Sequence, residues 1–238
     1  MFAREGSRKP RPRIGTELPN PGAPPTASLR EWVATSRLAG VVRPVYRYLE
    51  VPAWYLTGRR SVPPHMFKQK VLRSYARRYR LKTLVETGTY VGDMVWALRR
   101  DFATIHSIEL SEELYEKARA RFSGFEHIHL HHGDSREVLG QVISTLAGPA
   151  LFWLDGHYSG ERTARGPVVT PVMSELAHVF GSDRAHAHVA LIDDAWEFTG
   201  ARGYPAQEEL ERSLPPDRGL SFSVADNIIR ITPPDPLS

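Results

Sequence analysis

An α/β fold, with a doubly wound and mostly parallel sheet of seven strands, is predicted by three features of the sequence. Short apolar runs alternate with amphipathic helical segments about five times along the last two thirds of the 238-residue chain. The apolar runs are rich in Val, Ile, Leu and Phe, as expected for strands buried on both faces of a sheet. Two further apolar runs around an Asp-Asn pair favour an antiparallel strand pair at the C-terminus. This order of elements is typical of a sheet covered by helices on both faces.

The alternating elements can be placed in order along the chain. A first helix is predicted within residues 65–80, because apolar side chains recur there at helical spacing, at Phe67, Val71, Leu72, Tyr75 and Tyr79. The five strands of the alternating part are expected at residues 83–87, 104–110, 127–134, 150–155 and 188–193. The helices that follow them are expected at residues 92–102, 111–122, 135–146, 170–180 and 206–214. The final strand pair covers residues 220–232 and turns around Asp226 and Asn227.

Polar residues mark the starts of three predicted helices. Ser111 stands where an N-cap is expected, directly before an amphipathic segment. Asp134 and Glu137 have the spacing of a capping box. Thr170 is expected to cap the next helix, with Pro171 in its first turn.

The chain is expected to have three parts. Residues 1–28 hold six prolines and almost no periodic apolar pattern, so they are interpreted as a disordered basic leader. Residues 29–63 are predicted to form a helical or irregular extension. Its Trp and Tyr side chains are expected to pack on the main domain, with contact to a membrane surface or a partner as the alternative. Residues 64–238 carry the alternating pattern and form that domain.

Charge is distributed unevenly along the chain. Residues 1–80 carry 17 Lys and Arg against 4 Asp and Glu, whereas residues 81–238 carry 14 against 23. A nucleic-acid enzyme would more often carry positive charge around its cleft, so a nucleic-acid partner is less expected. Contact of residues 1–80 with phosphate or an acidic lipid surface stays open.

Composition excludes several kinds of site. The chain contains no Cys, so a disulfide, a thiolate metal site and a Cys nucleophile are all excluded. No apolar run approaches the length of about 18 residues that a membrane-spanning helix needs. The N-terminus lacks the apolar core of a signal peptide, so a cytoplasmic protein is expected.

A glycine turn and two acidic residues follow the first strands. Gly88 and Gly92 allow a tight turn and a close approach of the backbone to a ligand. Glu109 ends the second strand, 23 residues after Glu86, and is placed to accept hydrogen bonds from ribose hydroxyls. The turn differs from a dinucleotide-binding fingerprint, because Tyr90 stands where a second glycine would approach a pyrophosphate.

The glycine turn, together with the stretches "SIELSEELYEKARARF", "HHGDS" and "FWLDG", resembles successive motifs of class I S-adenosylmethionine-dependent methyltransferases. The resemblance covers about residues 66–232 and implies a Rossmann-like sheet. It implies that Glu86 and the turn at 88–92, including Tyr90, hold the methionine part of the cofactor. It also implies that Glu109 holds the ribose, and that the adenine is held by Asp134 and Ser135.

Three aspartates are expected to meet at the ends of the fourth and fifth strands. Asp155 ends one strand, and Asp193 and Asp194 end the other. At about 5 Å and an effective dielectric constant near 20, each like-charge pair costs roughly 3 kcal/mol. A proton, a Lys or Arg, or a divalent cation must offset this repulsion, and Mg²⁺ suits oxygen ligands. Alternatively, Asp155 forms an Asp-Gly turn, while one aspartate of the pair caps a turn and the other faces solvent.

The same aspartates resemble those of metal-dependent sugar O-methyltransferases of antibiotic biosynthesis. The resemblance implies that Asp155, Asp193 and Asp194 are metal ligands and that Asp155 also lies beside the cofactor. His157, two residues beyond Asp155, is expected beside the transferred methyl group, where it or Asp155 could accept a proton. The long insert at residues 156–170 departs from this pattern, so the acceptor is not defined.

The predicted function is transfer of a methyl group from S-adenosylmethionine to a hydroxyl of a small molecule or sugar, assisted by Mg²⁺. One alternative is a non-catalytic binding module that keeps the same fold. An RNA methyltransferase that uses residues 1–80 is a second alternative. A nicotinamide-dependent oxidoreductase is a third, although Tyr90 disfavours it.

Overall fold

The structure, a computed structural model, describes residues 49–59, 61–155, 170–181 and 187–236. Seven strands form one sheet: β1 Thr83–Thr87, β2 Thr104–Glu109, β3 Ile128–His132, β4 Ala150–Leu154, β5 Val189–Ile192, β6 Ser221–Ala225 and β7 Ile228–Thr232. The α-helices are α1 at 49–56, α2 His65–Arg78, α3 Asp93–Leu98, α4 Glu112–Phe122, α5 Ser135–Thr145, α6 Val172–Gly181 and α7 Gln207–Arg212. Short 3-10 helices cover Ala195–Glu197 and Pro216–Arg218.

The strands lie side by side in the order β3-β2-β1-β4-β5-β7-β6. Strands β1 to β5 are parallel to one another, whereas β7 runs antiparallel to both β5 and β6. The β6–β7 turn is made by Asp226 and Asn227, whose φ angles are 51° and 58°. Asp and Asn are the non-glycine residues that adopt this left-handed conformation most readily. The predicted fold class and C-terminal strand pair are therefore confirmed.

Each central strand contributes to two cores, because successive side chains point to opposite faces of the sheet. Val85 and Phe152 belong to the core that α5, α6 and α7 cover. Leu84 and Trp153 belong to the opposite core, which α2, α3 and α4 cover. Full burial on both faces explains why the sequences of these strands are continuous apolar runs rather than alternating apolar and polar residues.

The helical segment α1 packs against α2. Val51 and Trp54 form a small buried cluster with Phe67, and the Trp54 and Phe67 ring centroids lie 4.7 Å apart. The Trp54 indole N–H donates to the carbonyl of Ser61 at 2.8 Å. Trp54 of this segment therefore packs on α2. Residues 1–48, which include the predicted leader, lie outside the described residues.

The carboxyl ends of the parallel strands meet at one edge of the sheet. Backbone hydrogen bonds extend the pairing there: Asp155 N–H donates to Thr87 at 3.1 Å, and Asp193 N–H donates to Leu154 at 3.1 Å. These bonds fix the backbone of the two acidic strand ends. Within the described residues, no helix is long and apolar enough to cross a membrane.

Candidate active site

The glycine turn joins β1 to α3 through three residues with positive φ. The φ angles of Gly88, Tyr90 and Gly92 are 84°, 50° and 76°. The Gly88 N–H donates to the Ile108 carbonyl at 2.9 Å, which fastens the turn to the neighbouring strand. Tyr90 is non-glycine in a left-handed conformation, and its side chain is 42% exposed.

Glu109 connects this turn to the start of α4. Its side chain is buried, and it accepts hydrogen bonds from the backbone N–H of Tyr90 at 2.7 Å and of Ser111 at 2.9 Å. Ser111 in turn caps α4, as predicted, by accepting from the Leu114 N–H at 3.4 Å. Each carboxylate oxygen of Glu109 keeps a further lone pair, so the residue can still accept hydrogen bonds from a ligand.

Glu86 is buried at the end of β1. The Ser107 hydroxyl donates to it at 2.5 Å, and Ser107 also shares a hydrogen bond of 2.6 Å with Thr89. Burial raises the pKa of Glu86 to about 8, and the carboxylates of Asp155 and Glu109 act in the same direction. A cationic ligand group placed here would favour the ionised carboxylate, as an ammonium or sulfonium does.

Replacement of Glu86 by glutamine is expected to flatten the dependence of stability on pH. The raised pKa means that the folded protein binds this proton more tightly than the unfolded chain does. The free energy of unfolding therefore falls by roughly 1.4 kcal/mol per pH unit from this group as the pH rises from about 4.5 to 8. Glutamine cannot ionise, so the stability gap between variant and wild type should widen in favour of Glu86→Gln across that window.

Thermal unfolding of the ligand-free protein at several pH values measures this gap. Exposed Glu112 provides the control, because Glu112→Gln should give a curve parallel to that of the wild type. Parallel curves for Glu86→Gln and the wild type would show that Glu86 is not protonated when buried.

Asp134 and Ser135 lie at the start of α5. Asp134 caps this helix by accepting from the Arg136 N–H at 3.0 Å, and the Arg136 guanidinium binds it through Nε at 3.0 Å and Nη2 at 2.6 Å. This contact holds the pKa of Asp134 below its usual range. Asp134 is the N-cap as predicted, but its bond goes to Arg136 rather than to Glu137, the third position of the predicted box.

The structure brings together the three aspartates at the ends of β4 and β5. Asp155, Asp193 and Asp194 each offer a carboxylate oxygen, and these atoms all lie within 4.8 Å of one another. Asp193 is almost fully buried, with 3% of its surface exposed. Asp194 adopts a left-handed conformation with φ 51°, and it accepts a hydrogen bond from the Asn227 amide at 3.1 Å. We call these three residues the acidic cluster.

Lys68 of α2 supplies a counter-charge to the acidic cluster. Its ammonium donates to Asp193, and both side chains are largely buried. Burial lowers the pKa of Lys68, but the attraction of Asp193, with Asp155 and Asp194, outweighs burial and raises it above its usual value. Burial, and then the charge of Asp155, raise the pKa of Asp193 to about 7 despite Lys68.

Sequence reasoning left a lysine open as one way to offset the repulsion but did not find this one. Lys68 lies 125 positions before Asp193, so proximity in the chain gives no indication of the contact. The helical spacing does indicate that Lys68 faces the domain, because it lies one turn before Leu72, on the edge of the apolar face of the predicted helix.

Glu175 is a second acid that sequence reasoning missed. It lies in the first turn of α6, is 1% exposed and lines a small recess beside Asp193 and Asp194. The available signal was its position between Val172 and Leu176, on the apolar face of the predicted helix. His157, the predicted proton acceptor, lies outside the described residues together with the whole segment 156–169.

Solved structures of methyltransferases share this fold. The chain is similar to the S-adenosylhomocysteine-bound methyltransferase PaMTH1 of Podospora anserina, with a TM-score of 0.52 and 17% identity over 93% of this chain and 100% of that one. The chain is also similar to the O-methyltransferase TomG of Streptomyces achromogenes, which is involved in tomaymycin synthesis and was solved with S-adenosylmethionine. The TM-score is 0.50 and the identity 14%, over 79% of this chain and 88% of that one. For an O-methyltransferase of Bacillus cereus, solved with S-adenosylhomocysteine, the TM-score is 0.50 and the identity 13%, over 86% of this chain and 99% of that one.

No protein-family model matches the chain. No curated protein matches it either. The structural likeness, at these low identities, concerns the fold, which is that of class I S-adenosylmethionine-dependent methyltransferases.

Proposed function

We propose that this protein is an S-adenosylmethionine-dependent methyltransferase that methylates a hydroxyl of a small molecule or sugar with the help of a divalent metal ion. The observation that carries the proposal is the row of acids at one edge of the sheet. Glu86 and Glu109 lie at the carboxyl ends of β1 and β2, Asp134 comes two residues after β3, and the acidic cluster follows β4 and β5. In doubly wound sheets, ligands bind outside the carboxyl ends of the strands.

The cofactor is assigned to the first three strand ends. Glu86 and the turn at 88–92 would hold the methionine part, and Glu109 would hold the ribose. Asp134 and Ser135 would hold the adenine, with the Arg136 guanidinium fixing the Asp134 carboxylate. S-adenosylmethionine or its product is bound in the three similar structures described above, which supports this choice of cofactor.

The metal is assigned to Asp155, Asp193 and Asp194. Three carboxylate oxygens at this spacing suit Mg²⁺, which prefers hard oxygen ligands and retains several waters. Lys68 is bonded to Asp193, so a metal ion bound here would share that carboxylate with the ammonium. When bound, Mg²⁺ would act as a Lewis acid on the acceptor oxygen and lower its pKa.

The remaining chemistry needs little from the protein, because the sulfonium of the cofactor already carries an activated methyl group. The chain must align the acceptor oxygen, the methyl carbon and the leaving sulfur, and must accept the hydroxyl proton. His157 is the proposed base, with Asp155 as the other candidate. A neutral imidazole suits this task near neutral pH.

Isothermal calorimetry with S-adenosylhomocysteine tests the cofactor assignment. Wild-type protein should bind, and Glu109→Gln should bind about tenfold to a hundredfold more weakly, because each hydrogen bond to a charged group contributes about 1.5–3 kcal/mol. Glu112→Gln, which changes an exposed glutamate three positions away, should leave the affinity unchanged. An absence of binding to the wild-type protein would overturn the proposal and favour a binding module without this cofactor.

A further inference from the structure

The backbone leaves the regular strand conformation where the acidic cluster forms. Successive side chains of a β-strand point to opposite faces of the sheet, so Asp193 and Asp194 would point apart if β5 continued through both. Asp194 instead has φ 51° and ψ 47°, which is a left-handed conformation. With this bend, carboxylate oxygens of Asp193, Asp194 and Asp155 all lie within 4.8 Å of one another. The geometry of the acidic cluster therefore depends on the bend at Asp194.

A left-handed residue other than glycine needs support from the structure around it. The conformation is unfavourable for a residue with a side chain, although Asp and Asn tolerate it better than most. Such residues persist where neighbouring contacts hold them, and they are frequent at functional sites. At Asp194 one supporting contact comes from Asn227, which lies 33 positions later in the β6–β7 turn.

Asn227 binds three successive residues after β5. Its side-chain amide N–H donates to Asp194 Oδ1 at 3.1 Å, and its backbone carbonyl accepts from the Ala195 N–H at 3.0 Å. Its side-chain oxygen accepts from the Trp196 N–H at 2.8 Å. Because the Trp196 N–H can only donate, it fixes the orientation of the amide, and the amide nitrogen must face Asp194. Asn227 is 3% exposed, so these bonds are shielded from water.

The Asn227 side chain acts on the acidic cluster through Asp194. Its amide nitrogen is a donor, which a cation does not bind, and its oxygen is occupied by the Trp196 N–H. A hydrogen bond to a metal-binding carboxylate holds that carboxylate in the orientation in which it binds the ion.

We propose that Asn227 is a positioning residue that holds the Asp194 carboxylate in the acidic cluster for a divalent cation. The inference rests on the proposed function, because it concerns the metal site assigned there. It adds the β6–β7 turn to the elements that build this site.

Binding of Mn²⁺ to the full-length protein tests the proposal. Mn²⁺ prefers the same oxygen ligands as Mg²⁺, and the paramagnetic resonance signal of the free ion measures its affinity. Asn227→Gly keeps the left-handed turn but removes both side-chain hydrogen bonds, so it should weaken Mn²⁺ binding about tenfold to a hundredfold. Asp226→Gly is the matched control, because Asp226 has φ 51° in the same turn but pairs with Arg59 and Arg230. It should lower the melting temperature and leave the affinity for Mn²⁺ unchanged.

Asn227→Asp is the second variant, for the case in which Asn227→Gly does not fold. Aspartate has nearly the same shape and also tolerates the left-handed conformation, but it places an acceptor opposite Asp194 Oδ1 instead of a donor. The added charge alone would tighten Mn²⁺ binding, whereas loss of the Asp194 orientation should weaken it. Unchanged or tighter Mn²⁺ binding in a folded Asn227 variant would overturn the proposal.

Calorimetry with S-adenosylhomocysteine, run in parallel, separates this proposal from the proposed function. Asn227→Gly should leave this affinity unchanged, because the cofactor is assigned to the ends of β1, β2 and β3. Wild-type protein that binds S-adenosylhomocysteine but not Mn²⁺ would overturn the metal-assisted part of the proposed function together with the role of Asn227. Wild-type protein that binds both, with no effect of the Asn227 variants on Mn²⁺, would overturn the role of Asn227 alone.

Discussion

Replacement of Gly92 by alanine is expected to lower the melting temperature by about 4–20 °C and to weaken S-adenosylhomocysteine binding. Gly92 has φ 76° and caps α3, and it is the last residue of the turn assigned to the cofactor. An L-residue in this conformation costs about 1–2 kcal/mol relative to glycine. The added methyl group would also lie 2.6 Å from Cε2 and 3.0 Å from Cζ of Phe122.

The Phe122 ring cannot easily move away from that methyl group. It is 3% exposed and packs against the rings of Trp96 and Phe125, with centroid distances of 6.4 Å and 6.3 Å. Overpacking of a filled core typically costs a further 1–3 kcal/mol. The two effects together amount to about 2–5 kcal/mol, and each kcal/mol shifts the melting temperature of a domain of this size by about 2–4 °C.

Gly124 provides a matched control for Gly92. It lies two residues after Phe122, and an added methyl group there meets no atom within 4 Å. Gly124→Ala should therefore change neither the melting temperature nor the affinity for S-adenosylhomocysteine. Equal melting temperatures for the two alanine variants would show that the left-handed turn at Gly92 is not needed.

The fold was predictable because its signals are local. Each buried strand is a continuous apolar run, each helix has an apolar face, and Asp226 with Asn227 marks the final turn within a few residues. The edge at which the acids meet was also predictable, since the ends of parallel strands share one side of the sheet. Helix bounds were less accurate: α3 ends at Leu98, although the pattern favoured residue 102.

The contacts of the site were harder to predict because they join distant parts of the chain. The Lys68–Asp193 pair depends on how α2 packs over the sheet, and no local pattern encodes that packing. Glu175 reads as one polar residue of an amphipathic helix, and only the tertiary structure shows that its carboxylate is buried beside Ser135. The positions of the acids can be predicted from the topology of the sheet, because they lie at strand ends. The residues that neutralise them cannot, because their positions depend on how the helices pack.

Replacement of Lys68 by methionine is expected to destabilise the protein by about 3–5 kcal/mol at about pH 8 in the absence of divalent cations. Methionine keeps the length of the side chain but leaves the buried Asp193 carboxylate without its ammonium partner, and breaking a buried pair typically costs this amount. Lys70→Met, at an exposed position of the same helix, should have little effect.

The penalty of Lys68→Met should grow with pH. Burial and Asp155 already raise the pKa of Asp193 to about 7, and loss of the ammonium raises it further. A carboxyl with a raised pKa in the folded state binds a proton that the unfolded chain has released, so stability falls as the pH rises through that window. Near pH 5, the protonated Asp193 needs no cation and the variant should approach the wild type in stability.

The effect of Mg²⁺ on the melting temperature shows whether a lysine or a metal ion is the principal counter-charge of the acidic cluster. If the cluster binds Mg²⁺, the rise in melting temperature on adding the ion should be larger in Lys68→Met than in the wild type, because the ammonium no longer competes for Asp193. Asp194→Asn in the same background should reduce that rise, since it removes one of the three anionic ligands. A Mg²⁺ effect that is absent from both wild type and Lys68→Met would mean that the cluster does not bind Mg²⁺, and the metal-assisted part of the proposed mechanism would be wrong.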